Sequence, residues 1–131
     1  MALIVVDSSV WIAQIRRQRT AQVKRLTEAN PLELIVGDVV LLELLQGARD
    51  EAHASALLRN LQRFHPVEMM SLEVAIEGGR NYRHLRRLGI TTRKTTDLII
   101  ATYCILNGHE LLHQDRDFSP YARHLGLKLA S

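Results

Sequence analysis

Leu3-Ile4-Val5-Val6-Asp7-Ser8-Ser9-Val10-Trp11-Ile12 is the stretch on which the fold turns. Its first four residues are a continuous apolar, β-branched-rich run with no polar alternation. That pattern fits a strand covered on both faces, which is the habit of parallel sheets. Asp7-Ser8-Ser9 ends the run. Ser8 or Ser9 is placed to cap a helix beginning near Val10, with Trp11, Ile12 and Ile15 as its apolar stripe.

The same grammar repeats outward along the chain. A helix is expected to continue over Ala21 to Glu28 until Asn30-Pro31 breaks it, and Glu33-Leu34-Ile35-Val36 reads as a second short strand. Asp38 is placed to cap a helix over Val39 to Ala48, with Gly47 near its end. A further helix runs from Ala52 to Arg63, His65-Pro66 punctuates, and Val67-Glu68-Met69-Met70 is the candidate third strand. Ser71 with Val74 begins a capping pattern for a long helix to about Leu88, despite the weakening pair Gly78-Gly79. Thr95 or Thr96 caps the next helix, whose run Leu98 to Leu106 is apolar nearly all round until Asn107-Gly108 stops it. Leu111-Leu112-His113 is the fourth strand, Asp115 to Phe118 a turn, Tyr121 to His124 a short helix, and Leu127-Lys128-Leu129 a last strand. Short apolar strands alternating with helices predict a right-handed α/β fold. Helices should cover both faces of a central, mainly parallel sheet of four to five strands, giving three layers, α/β/α.

At 131 residues the chain is long enough for one core and too short for two, so residues 1–131 are expected to form one domain. A composition of 47% hydrophobic and 24% charged residues sets aside disordered and fibrous classes. No apolar run approaches the roughly 20 residues that span a bilayer, and the stretch Val36 to Leu45 is interrupted by Asp38 and Glu43. No membrane association is expected. The opening residues carry no basic leader or small-residue cleavage site, and a single cysteine, Cys104, cannot form an internal disulfide. Both features fit the cytoplasm. The net charge of +3 conceals two basic blocks: Arg16, Arg17, Arg19, Lys24 and Arg25, then Arg80, Arg83, Arg86, Arg87, Arg93 and Lys94. Such blocks attract polyanions, though surface helices are also basic for solubility alone.

The acids fall where an open parallel sheet binds ligands, at the carboxyl ends of its strands near the point where strand order reverses. Asp7 follows the first strand, and Asp115 and Asp117 follow the fourth. Glu43 lies early in the helix after the second, and Asp97 opens the helix before the fourth. Taken singly, most have an ordinary structural reading. Asp7, Asp115 and Asp117 suit turns, and Asp97 suits a helix N-terminus through the macrodipole. Asp38 keeps its capping role. Glu43 is harder to dismiss, because Val39-Val40-Leu41-Leu42 precedes it and Leu44-Leu45 follows. A carboxylate in such a run is paired, as with Arg49, or bound to a cation, since burying it alone is costly. Several carboxylates together, offering oxygen ligands only, point to hard cations such as Mg²⁺ or Mn²⁺. The six histidines show neither close pairing nor a cysteine partner, which argues against zinc. His113, just before the acidic turn, is read as a packed or solvent-facing imidazole rather than a substrate contact. No nucleophile elbow surrounds Ser8 or Ser9, and no Gly-rich phosphate loop occurs.

Four segments come in a telling order and spacing: Val5-Val6-Asp7-Ser8-Ser9-Val10-Trp11-Ile12, Leu42-Glu43-Leu44-Leu45-Gln46-Gly47, Thr96-Asp97-Leu98-Ile99-Ile100-Ala101, and Leu111-Leu112-His113-Gln114-Asp115-Arg116-Asp117-Phe118. Together they resemble PIN-domain proteins, and among them the VapC toxins, over nearly the whole chain. The resemblance implies a Mg²⁺- or Mn²⁺-dependent endoribonuclease that hydrolyses phosphodiester bonds of structured RNA, often transfer or ribosomal RNA. It further implies the toxin half of a toxin-antitoxin pair, neutralised by a VapB antitoxin, and commonly a homodimer. By this likeness Asp7, Glu43, Asp97 and Asp115 form the acidic quartet, Asp117 is a frequent additional acid, and Ser9 is an assisting hydroxyl. Asp7 and Asp97 are the first choices as direct ligands, with Glu43 and Asp115 binding through water or completing a second site. His113 departs from the Thr or Ser that the family commonly carries near the fourth acid. Two other readings compete. A degenerate PIN domain would keep the fold only to bind RNA or protein, and the intact quartet speaks against it. A haloacid-dehalogenase-like phosphatase would want Asp-x-Asp after the first strand, where Ser8-Ser9 follows Asp7 instead.

Overall fold

A computed structural model describes residues 2–131, and Met1 lies outside them. Five strands form one sheet: β1 (Ile4–Val6), β2 (Leu34–Gly37), β3 (His65–Val67), β4 (Glu110–Leu112) and β5 (Lys128–Leu129). Their order is β3-β2-β1-β4-β5, and every pairing is parallel. The expected parallel α/β architecture is therefore the observed one. β1 lies at the centre with all three residues buried, as its unbroken apolar run requires.

Among the described residues, seven α-helices flank the sheet: α1 (Ser8–Ile15), α2 (Ala21–Glu28), α3 (Asp38–Gln46), α4 (Glu51–Leu61), α5 (Leu72–Arg87), α6 (Thr95–Asn107) and α7 (Ser119–Leu125). Local chemistry sets their ends. Thr20 and Ser71 accept from the amides of Val23 and Val74 as N-caps of α2 and α5. Gly108, at a left-handed φ of 67°, closes α6 where Asn107-Gly108 marked the stop. Among the described residues no helix is long and apolar enough to cross a membrane.

The structure moves several expected boundaries. Asp7, not Ser8 or Ser9, caps α1, because its carboxylate accepts from the Ser9 amide. Residues 21–28 form a separate helix, since Arg17 turns through a positive φ of 57° before Thr20 starts α2. Lys94, not Thr95 or Thr96, holds the cap position of α6, and its side chain makes no capping hydrogen bond. Asp38 is the first residue of α3 rather than its cap. Its Oδ1 accepts from the amides of Val39 (2.8 Å) and Met69 (3.0 Å), which ties Met69 down beyond the sheet. The third strand accordingly ends at Val67 instead of running to Met70. Pro66 fits there because β3 is an edge strand, where a missing N–H costs no ladder bond.

The strand order reverses at β1. The chain steps outward through β2 and β3, then returns to lay β4 against β1's other side. The carboxyl ends of β1 and β4 thus form the switch-point crevice. The Asp7 amide donates to the Leu112 carbonyl at 3.0 Å, carrying the pairing one residue past β1.

Gly37 ends β2 directly over Met69, which is fully buried. A Cβ at Gly37 would overlap Met69 Cε and Sδ. Gly37→Ala is therefore expected to lower stability by about 1–3 kcal/mol in urea unfolding, the usual penalty of overpacking a close-packed site. Combined with Met69→Ala, the two losses should be sub-additive, because the smaller side chain makes room for the new methyl.

Candidate metal centre

Asp7 leaves β1 into the switch-point crevice at 3% exposure. Its Oδ2 accepts from the Ser9 amide at 3.1 Å and the Ser9 hydroxyl at 2.6 Å. Ser9 Oγ in turn accepts from the Gln114 amide at 3.0 Å, and Gln114 Oε1 accepts from the Thr20 hydroxyl at 2.5 Å. The Ser9 side chain so fastens the end of β1 to the segment after β4. The other Asp7 oxygen, Oδ1, is buried without a hydrogen-bond partner. Asp7 is thus both the turn residue its sequence suggested and a half-vacant carboxylate.

Asp97 sits in the first turn of α6 at 5% exposure, and its Oδ2 is likewise buried without a partner. Burial, then the nearby Asp7, push its carboxyl up to about 7. Asp115 and Glu43 add to the rise and Lys94 opposes it. Glu43, on α3, is half-buried and accepts from the Ser8 hydroxyl at 3.3 Å. Burial and the charge of Asp7 raise it too. Among the described residues no arginine stands within ion-pair distance of Glu43, so the pairing with Arg49 is not formed.

Asp115 caps a short 3₁₀ turn, Arg116–Phe118, by accepting from the Asp117 amide at 2.9 Å. Lys94 donates to its Oδ2 at 3.1 Å. Burial alone would raise the Asp115 carboxyl, but the Asp117 amide and the Lys94 ammonium bring it below the ordinary value. His113 packs its ring 5.1 Å from that of Phe118, and its Nδ1 accepts from the Asp115 amide at 3.1 Å. Burial lowers its pKa, which keeps the imidazole neutral and able to accept. The packed reading of His113 is the one observed, and its ring nitrogen orients Asp115.

Asp97, Asp115 and Asp117 bring one carboxylate oxygen each within 4.8 Å of the others. Asp7 and Glu43 stand outside that trio but act on it, since Asp7 is the strongest charge raising both Asp97 and Glu43. The arrangement fits a hard divalent cation. Every donor is oxygen, and two buried carboxylate oxygens lack any hydrogen bond. Two participants escaped the sequence reading. Lys94 was counted with the basic blocks, although it precedes Asp97 by three residues. Tyr121, whose hydroxyl is buried beside the site, carried no signal beyond its place in a short helix.

The profile of the PIN domain matches residues 4–124. The chain is 28% identical over 135 aligned residues to ribonuclease VapC11 of Mycobacterium tuberculosis, an alignment covering 98% of each chain. The same identity and coverage hold for VapC ribonuclease Mb1587 of Mycobacterium bovis. Among solved structures, the fold is similar to a chain of the DNA-bound VapBC of Salmonella typhimurium, at a TM-score of 0.79 and 19% identity over 99% of this chain and 98% of that one. It is also similar to M. tuberculosis VapC20, a sarcin-ricin loop cleaving toxin, at a TM-score of 0.62 and 21% identity over 88% and 92%. With that profile running from β1 into α7, and with the acids gathered where the strand order reverses, the chain belongs to the PIN-domain family, a nuclease fold.

Proposed function

We propose that this chain, as a single PIN domain over residues 1–131, is a Mg²⁺- or Mn²⁺-dependent endoribonuclease, the toxin of a VapBC pair. Its substrate is structured RNA, transfer or ribosomal. A VapB antitoxin restrains it, and it works in the cytoplasm as a homodimer. The observation that carries the catalytic reading is the pair of buried, donor-free carboxylate oxygens, Asp7 Oδ1 and Asp97 Oδ2. A fold that invests burial in two such atoms has left them for a cation. The names of the relatives, VapC ribonucleases and VapBC complexes, support the substrate class and the partner.

In this reading Asp7 and Asp97 hold the cation, Asp115 and Asp117 complete its oxygen shell, and Glu43 reaches it through water or serves a second position. A bound divalent ion supplies an acidified water and positive charge opposite the phosphate. The protein's own groups set the stage. Ser9 fixes the Asp7 carboxylate through its second oxygen and leaves Oδ1 clear. Lys94 and the Asp117 amide keep Asp115 ionised, and His113 holds the Asp115 backbone. The basic helix faces draw the RNA phosphates, so binding weakens as salt rises.

Asp7→Asn is expected to reduce Mg²⁺- or Mn²⁺-dependent RNA cleavage by at least about 100-fold. Its circular dichroism and urea midpoint should stay at or above those of the parent chain, since an amide oxygen can still cap α1 and one like charge is removed. Parent-level cleavage by this variant would overturn the assignment. Absence of cleavage by the parent with any divalent ion would instead favour a binding module.

The raised Asp97 carboxyl gives a second test. Its folded pKa lies at about 7 against 3.8 for the unaffected group, so the folded state holds the proton longer than the unfolded state does. Without divalent ions, stability from this group should therefore fall as pH rises from about 4 to about 7 and level off above. Glu43, also raised, adds in the same direction. His109 and His113, both lowered by burial, act in the opposite direction, so the comparison is with Asp97→Asn: between pH 5 and pH 7.5 in EDTA, the Tm of the parent should fall relative to that of the variant. Mg²⁺ or Mn²⁺ should close the gap at pH 7.5. A parent Tm that tracks that of Asp97→Asn across the interval would contradict the reading.

A further inference from the structure

Next to the acidic trio lies a cleft of about 280 Å³ lined by side chains of both charges. Asp97 and Asp117 line it together with Arg93, Lys94 and Arg116, and Thr92 and Tyr121 are also in the lining. Lys94 is engaged by Asp115, whereas Arg93 and Arg116 have no carboxylate partner among the described residues. The 13-residue helix α6 starts at this cleft, between Lys94 and Asp97, with no side chain capping its first turn. Its N-terminal amides and dipole favour an anion.

An independent observation points the same way. Tyr121 is 1% exposed, lines the cleft, and has a buried hydroxyl with no hydrogen-bond partner. The Thr92 side chain sits beside it, yet the pair falls short of hydrogen-bond geometry. Burial pushes the phenol up to about 12, so it stays protonated and can donate. A buried tyrosine hydroxyl is normally satisfied; one left open beside unpaired arginines is prepared for an acceptor that arrives from outside.

We infer that this cleft is a phosphate subsite, seating the phosphodiester group that flanks the one cut at the acids, with Arg93 and the Tyr121 hydroxyl as its donors. The inference rests on the ribonuclease reading and deepens it. Phosphate suits the cleft because its several oxygens can accept from a guanidinium fork, a phenol and helix amides at once. Asp97 and Asp117 would repel it while uncompensated, so occupation of the subsite requires a divalent cation among the acids. The subsite thereby fixes the register of the strand: it holds the neighbouring phosphate while the scissile one faces Asp7 and Asp97.

The test uses a short fluorescein-labelled RNA and the full chain with its acids intact, with Ca²⁺ in place of Mg²⁺ to fill the oxygen site; binding is read by anisotropy and the RNA is checked for intactness on a gel. Adding Arg93→Gln should weaken binding about tenfold and reduce the slope of log Kd against log salt by about 0.7, the loss of one single-strand phosphate contact. Adding Tyr121→Phe should weaken binding several-fold while leaving Tm unchanged or higher, because it deletes a hydroxyl that the free protein leaves unpaired. In the cleaving parent, both changes should raise KM for RNA more than they lower kcat. Tyr121→Phe with a lowered Tm and unaltered Kd, or Arg93→Gln with parent affinity and slope, would overturn the subsite and leave the ribonuclease reading standing. A parent chain that neither binds nor cleaves RNA would overturn both.

Discussion

Mutual repulsion among carboxylates held at one end of a parallel sheet is the constraint around which the rest of the molecule is arranged. Asp7 and Asp97 are buried, and the charge of Asp7 makes Asp97 harder to ionise. Such crowding destabilises a fold unless other groups absorb it. The chain does so unevenly. Asp115 is relieved by Lys94 and by the Asp117 amide, and one oxygen of Asp7 by Ser9. Asp97 gets little relief, and its carboxyl stands near neutrality. The unrelieved remainder sits where an external cation would be most strongly attracted. Stability is traded locally for a site that is pre-organised and poorly satisfied.

Most of the architecture was legible because β1 is unusually plain. Its buried residues, Ile4, Val5 and Val6, leave no solvent face, which only a parallel sheet covered on both sides allows. Helix ends were legible where a side chain caps, as at Ser71, or where a glycine turns left-handed, as at Gly108. They were misplaced where the capping residue has a second engagement. Asp38 read as an ordinary N-cap, yet its carboxylate also holds the Met69 amide, 31 residues away. That contact ends the third strand early, and no local pattern encodes it. Pro66 misled for a related reason, since a proline forbids a central strand but not an edge, and edge position is a property of the finished sheet.

For the site, the acids were legible by their places after strands and at a helix start, and Glu43 by its apolar setting. What the sequence could not convey is their ranking in space. Asp117, read as auxiliary, shares the tight trio with Asp97 and Asp115, while Asp7 acts on Asp97 from outside it as the strongest neighbouring charge. Lys94 and Tyr121 were invisible as participants because their roles depend on the packing of α6 against the segment after β4. His113 shows the converse. Where the likeness led one to expect a hydroxyl, an imidazole packed on Phe118 supplies the acceptor for the Asp115 amide, so different chemistry fills one positioning role.

The strand order has a consequence in time as well as in space. β1 emerges during synthesis well ahead of its neighbour on the Asp115 side, β4, which follows more than a hundred residues later. The Ser9 hydroxyl that steadies Asp7 meets the Gln114 amide only then. A nascent chain still short of Asp115 holds Asp7 and Glu43 without the partner strand that aligns them. The acids come together only once the segment after β4 has emerged, so the centre closes long after Asp7 itself has been made.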